Sequence, residues 1–293
     1  MIINQSALTG IYRTFSTIFN QALEAVSPMW PTIAMQVPST GRSVDYKWLG
    51  NFPMMREWLG DRVIKDLSAY HYEITNKDYE ATIEVDRNDI EDDQIGVYTP
   101  MIQGLAQAAK EHPDYLVFAL LAAGFSTTCF DGQYFFDTDH PVGSSTQSNY
   151  GGGASNAWYL MDLSKPVKPI ILQIRKQPEF VSMDKPDDEN AFMRKKYRYG
   201  VDDRKNVGYG LWQLAYGSKQ TLNSTYYASA RAAMMGFTKE DNVTPLNIRP
   251  THLVVGPSNE AAGKQLVEAQ FDSSGASNIW YNSAKLVVVP YLT

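Results

Sequence analysis

The sequence has one cysteine, four histidines and no long apolar run, and each shortage removes a class of function. A lone Cys129 rules out an intrachain disulfide and any zinc site built on paired cysteines. Its plain reading is a small buried hydrophobe. The longest apolar stretch, residues 116–123, falls far short of the ~18 residues that span a bilayer. No basic, apolar leader opens the chain, so a soluble, cytosolic product without a membrane partner is expected. Positive charge is scarce: 26 Lys and Arg stand against 32 Asp and Glu, a net charge of −6, and the cations are scattered. Binding duplex phosphate needs a basic face, so sequence-specific recognition of nucleic acid is not expected. Gly208-Tyr209-Gly210 lacks the third glycine and the helix start of a phosphate loop, and suits close packing in a strand.

What is present is length and aromatic surface. At 293 residues the chain is long for one core, so two domains, or one domain with long excursions, are expected. Aromatics make up 12%, many in strand-like or loop-like segments, which fits surfaces covered by another subunit. Thr99-Pro100 is a helix start, since proline at the first helical position lacks only an N–H that would be unpaired there. Apolar residues at Met101, Leu105, Ala108, Ala109, Leu116, Ala119, Leu120 and Ala123 then mark one face of a spine helix over 99–124, with Gly124 as its stop. Pro113 predicts a kink or two abutting helices.

Ahead of it, residues 9–26 read as an amphipathic helix capped by Thr9. Pro28, Pro31 and Pro38 make 27–40 an extended arm that must lie on its own domain or a neighbour. Alternation at Val44, Tyr46 and Trp48, resuming at Tyr70, Tyr72 and Ile74, predicts a two-stranded protrusion over about 44–75. Its Trp48, Phe52, Met54, Met55, Trp58 and Leu59 are too apolar for a free hairpin, so it is expected to rest on an adjacent subunit. Residues 144–155, rich in Gly, Ser and Asn, read as a flexible loop or linker. Strand-like pieces follow at 170–174, 180–183 and 207–216, then a helix over 223–235 closed by Gly236. A strand at 252–255, a helix from Ser258 to about Gln270 and a strand at 285–289 make a small α/β unit.

Two groups of residues invite chemistry. Asp137, Asp139 and His140 suggest a metal-dependent hydrolase, but alternate strand residues point apart and no second cluster completes a ligand set. A structural role is the stronger expectation. The second group is a pair of opposite charge runs. Asp86, Asp89, Glu91, Asp92 and Asp93, less Arg87, sum to −4, and Arg194, Lys195, Lys196 and Arg198 sum to +4. The acidic spacing lacks the glycine and terminal Glu of a calcium loop, and carboxylates before a helix are favourable through its dipole alone. These runs are expected to form one electrostatic system that joins subunits.

Four stretches carry a likeness: 56–62 (Arg-Glu-Trp-Leu-Gly-Asp-Arg), 84–93, His112-Pro113-Asp114 and 131–142. Together they resemble the major head subunits of Mu-like bacteriophages. The resemblance implies an α+β chain with the Hong Kong 97-type capsid fold. Residues 1–40 would be an N-terminal arm, 41–78 an extended loop, 79–221 a peripheral domain with its spine helix, 222–285 an axial domain, and 286–293 a strand returning toward the peripheral domain. It further implies self-assembly as hexamers and pentamers into an icosahedral head around packaged DNA, assembled in the bacterial cytoplasm and found in the virion. No enzymatic activity, cofactor or metal is implied; a portal and decoration or scaffolding proteins are the implied partners. Intersubunit contact is expected from the apolar loop residues named above, from Arg56 and Arg62, and from both charge runs. A nanocompartment shell protein of the encapsulin type is the alternative reading within this fold.

Overall fold

The structure is a computed structural model and describes residues 4–49, 71–185, 187–272 and 274–292. In chain order its elements are α1 (Gln5–Ala25), β1 (Ala34–Pro38), β2 (Ser43–Asp45), β3 (Glu73–Thr75), β4 (Lys77–Asp86), α2 (Arg87–Glu91) and α3 (Thr99–Ala122). Next come β5 (His140–Val142), β6 (Ser145–Gln147), β7 (Tyr150–Gly153), β8 (Trp158–Met161), β9 (Ile170–Met183), α4 (Glu189–Arg194) and β10 (Lys196–Tyr209). The chain closes with β11 (Ala215–Lys219), α5 (Ser224–Met235), β12 (His252–Val255), α6 (Glu260–Val267) and β13 (Lys285–Val288).

α1 begins four residues before the predicted 9–26. Asn4 is as strong a cap as threonine and comes first: its side chain accepts the Ala7 N–H at 2.8 Å, while the Thr9 hydroxyl donates to the Gln5 carbonyl. Leu8, Ile11, Phe15 and Phe19 form the buried stripe, which lies against α3. α3 is a single helix with Pro113 inside it, not two abutting ones. Its buried face is also rotated from the expected one. Ile102, Leu105, Ala106, Ala109, Pro113, Asp114, Val117, Phe118 and Leu121 are inside, whereas Met101, Ala108 and Ala119 are exposed.

Two sheets flank this rod. A four-stranded sheet runs β1-β9-β10-β4, with β1 parallel to β9 and the other pairs antiparallel. Its long strands β9 and β10 alternate. Tyr197, Tyr199, Val201, Asp203 and Lys205 point inward, and Lys196, Arg198, Asp202 and Arg204 are more exposed. The pieces read as separate strands at 170–174 and 180–183 are one strand, in which Pro178 sits where the pairing register shifts. A five-stranded sheet runs β13-β12-β8-β11-β7, with β12 and β13 parallel across α6. It therefore takes β7, β8 and β11 from within the span 79–221. Residues 144–155, expected to be a linker, contain β6 and β7. Gly153 is required there, because a Cβ would come within 2.3 Å of the Lys219 carbonyl. Helix α6 follows a turn on Pro257 rather than a Ser258 cap, and ends at Val267.

The arm at 27–40 lies on its own subunit: β1 is an edge strand, and a tight turn at Trp30–Thr32 precedes it. That turn is fixed by Asp114 of α3, whose buried carboxylate accepts the Met29 and Trp30 N–H groups at 3.0 and 2.6 Å. Burial raises the Asp114 carboxyl above the ordinary range, and the two N–H donors oppose that rise. The base of the predicted protrusion is the β2–β3 pair, anchored by Tyr46, Leu49 and Ile74 in the core. The Tyr46 hydroxyl donates to Gln173 at 2.8 Å. Trp48 is half-buried against Tyr46, while Phe52, Met54, Met55, Arg56, Trp58, Leu59 and Arg62 lie outside the described residues.

Asp114→Ala strips both N–H groups of a buried acceptor, so a loss of roughly 1–3 kcal/mol is expected. A urea midpoint on unassembled subunits measures it; an unchanged midpoint would show that the arm is held without Asp114.

Candidate functional site

The residues suggested for metal chemistry do not converge. Asp137 turns its carboxylate onto the N–H groups of Tyr134 and Thr138, at 3.2 and 2.7 Å, and Asp139 is exposed. His140 is fully buried and pairs instead with Asp131, Nδ1 to Oδ2 at 2.7 Å. Its Nε2 lies 3.1 Å from Oδ1 of Asn149. Asn149 is oriented by its NH2 group, which donates to the carbonyls of Phe135, Trp212 and Ala215. Oxygens therefore face both ring nitrogens, which fixes the orientation of the ring. Trp212 stacks on the ring, with centroids 4.0 Å apart. Burial alone would raise the Asp131 carboxyl, but the hydrogen bond and charge of His140, with donors from Cys129 and Gln133, hold it below the usual range.

Cys129, Asp131 and His140 bring one sulfur, one oxygen and one nitrogen within 4.8 Å. Ligand atoms on a tetrahedral zinc stand roughly 3.3–3.8 Å apart, given bonds of about 2.0–2.3 Å. Here the neighbouring atoms sit at hydrogen-bond separations, 2.7 Å for Asp131–His140 and 3.1 Å for Cys129–Asp131. Burial also pushes the Cys129 thiol up, away from the thiolate that a metal needs. The cluster is a hydrogen-bonded clamp. Through Asn149 it ties the segment after α3 to the five-stranded sheet, where Gly217 donates its N–H to the Asn149 carbonyl at 2.9 Å.

The two charge runs meet within one subunit. β10 starts opposite the end of β4, with Lys196 paired in register to Asp86 and Arg198 to Glu84. Lys196 and Arg198 both bind Glu84, at 3.0 and 2.9 Å, and their hydrogen bonds lower its carboxyl. Glu84 was absent from the expected acidic set. Within that set, Asp86 caps α2 by accepting the Asn88 N–H, Asp89 accepts the Tyr98 hydroxyl, and Glu91 binds Arg87 at 3.0 Å. Arg87 also donates its N–H to the Lys195 carbonyl at 2.9 Å, which lays α2 beside the end of α4. The unspent charges are Arg194 and Lys195 on one side and Asp92 and Asp93 on the other. All four are exposed and have no ion-pair partner among the described residues. No helix among the described residues is long and apolar enough to cross a membrane.

Residues 8–292 match the family described as "Mu-like prophage major head subunit gpT". The chain is 40% identical over 306 aligned residues to the Mu-like prophage FluMu major head subunit of Haemophilus influenzae, covering 99% of each. It is 35% identical to the major capsid protein of Escherichia phage Mu, covering 100% of each. Among solved structures, a chain of the procapsid of bacteriophage JBD30 superposes with a TM-score of 0.89 at 42% identity, covering 99% of this chain and 100% of that one.

His140→Ala would leave the buried Asp131 carboxyl without its ring partner, an expected loss of at least about 1–3 kcal/mol. The folded Asp131 value lies below the unfolded one, so its contribution is complete above about pH 4 and is lost as the pH falls below that. Asp131→Asn should therefore flatten the acid limb of a stability–pH curve; an unchanged limb would remove Asp131 from that role.

Proposed function

The chain belongs to the Mu-like prophage major head subunit family, and from that premise we propose how its copies join. As a member it is the major capsid protein of a Mu-like phage or prophage, a structural rather than catalytic protein that self-assembles into the icosahedral head of the virion. The carrying observation is the match along essentially the whole chain, to relatives in sequence and to a procapsid subunit in structure. Its fold is the Hong Kong 97-type α+β capsid fold, with α3 as the spine.

Within that architecture, α1, α3 and the four-stranded sheet take the peripheral role and the five-stranded sheet takes the axial one. This adds β7, β8, β11 and most of β13 to the axial span 222–285, so the expected returning strand at 286–293 begins as part of the axial sheet. The end of the chain returns to the spine, where Tyr291 stacks on Phe118. Copies gather as hexamers and pentamers around the packaged DNA. A net charge of −6 suits a wall that holds the duplex without gripping it. A portal supplies the passage for DNA that a closed head otherwise lacks, and scaffolding or decoration proteins are further partners. The loop residues Phe52, Met54, Met55, Arg56, Trp58, Leu59 and Arg62 stay in the contact set on sequence grounds alone.

Charge pairing between copies narrows to the four unspent residues. Arg194 and Lys195 of one copy meet Asp92 and Asp93 of the next, while Lys196, Arg198, Asp86, Asp89 and Glu91 hold their own subunit together. Each exposed pair contributes only ~0.2–1 kcal/mol, but the contact repeats over every copy of a closed shell.

Negative-stain microscopy of the purified protein is expected to show closed shells; only dispersed subunits under all assembly conditions would contradict it. Arg194→Glu with Lys195→Glu should impair assembly at low salt, and Asp92→Lys with Asp93→Lys should restore it in part. Normal assembly of the first variant at low salt, where screening is weakest, would show that these charges are merely solvated.

A further inference from the structure

Around the unspent charges lies apolar surface that the subunit does not cover. In α4, Ala191 is buried while Phe192 and Met193 are 82% and 70% exposed, so this short helix turns its large side chains outward. Met183, 48% exposed at the end of β9, adjoins them, because Asn190 reaches its sulfur at 3.4 Å. On the other side of the tip, Val97 in the turn Ile95–Tyr98 is 70% exposed, and Met101 in the first turn of α3 is 47% exposed. Single exposed apolar residues are ordinary, but five large ones gathered at one end of a subunit mark an interaction surface.

The tip has two halves of opposite charge. Phe192 and Met193 run directly into Arg194 and Lys195, whereas Asp92 and Asp93 lead into Val97 and Met101. The Arg87–Lys195 backbone bond holds the halves side by side on one subunit. We propose that these halves are the two sides of one head-to-tail contact, in which the α4 half of one copy docks on the Asp92–Met101 half of the next copy.

A second copy is the occupant that this surface fits. A partner of one charge sign would meet a favourable rim on one half and an unfavourable one on the other. A neighbouring copy turned about a local axis instead presents acid to base and apolar side chain to apolar side chain. Such a contact uses two different patches per subunit and closes into a ring when the rotation allows, which an icosahedral shell requires. The proposal rests on the shell assembly and charge pairing set out above, and adds an apolar seam that salt does not screen.

Phe192→Cys and Val97→Cys subunits, prepared separately and doped together into excess wild-type protein, test the contact with a short bismaleimide. Cys129 is buried and stays silent. A cross-linked pair is expected in shells only when both variants are present, and none in unassembled subunits. The double variant Phe192→Ser, Met193→Ser should keep the wild-type circular dichroism and melt, yet assemble at least tenfold less at both low and high salt. Absence of the mixed cross-link in shells, or normal assembly of the serine variant, would overturn the proposal. If the cross-link forms while the charge-reversed subunits assemble normally, the apolar seam stands and the charge pairing fails. If wild-type protein forms no shells at all, the assembly reading itself is what fails.

Discussion

The buried stripe of α3 is the surface on which both cores of the subunit are built. Ile102, Leu105, Ala106 and Ala109 belong to a smaller core with Phe15, Phe19, Phe180 and Tyr199, while Val117, Phe118 and Leu121 belong to a larger one with Phe135, Trp158 and Leu253. One helix of 24 residues, about 36 Å at 1.5 Å per residue, thus joins the charged tip to the five-stranded sheet. Asp114 stands between the two groups and pins the arm to the same rod. A part that must repeat around many local axes gains from this arrangement, because the distance between its contact surfaces is set by a helix rather than by a loop.

Charge is used in two ways around that rod. Buried pairs fix the fold: Asp131–His140 clamps the segment after α3. Asp203 and Lys205 face each other beneath the spine, where burial lowers the lysine and its partner opposes the change. Breaking either pair by removing one member leaves a charge with no water to solvate it, which is why they are specific even if their net stabilisation is small. Exposed charge includes intrachain pairs, such as Glu84 with Lys196 and Arg198, while Arg194, Lys195, Asp92 and Asp93 at the tip have no ion-pair partner among the described residues.

How much of this was legible depended on whether the deciding contact was local. Pro100 at the start of α3 marks the spine, but the apolar pattern points to the wrong face, because alanines fill several faces and distinguish them poorly: Ala106 and Ala109 are buried, Ala108 and Ala119 are not. The cap of α1 is ambiguous in the sequence, since two acceptable capping residues lie five positions apart, and the helix that starts from Asn4 is the one that includes the buried Leu8. β9 looks like two strands in the sequence, since Pro178 resembles a stop, whereas the bulge that accommodates it is set by the pairing with β10. The stretch 144–155 looked like a linker because glycine signals flexibility and close packing alike, and only the Lys219 backbone decides between them. Sequence proximity groups His140 with Asp137 and Asp139, whereas its partners Asp131 and Asn149 lie nine residues away on either side. The Mu-like motifs supplied the family, and the spent and unspent charges of the tip needed the register of β4 against β10.

Native-state hydrogen exchange of the unassembled subunit tests most directly whether α3 binds the two cores into one unit. Amides on either side of Pro113, in 104–110 and 117–121, are expected to share a single opening free energy equal to that of global unfolding. Separate openings, with the first segment following α1 and the second following the five-stranded sheet, would contradict the claim that one rod holds both ends of the subunit.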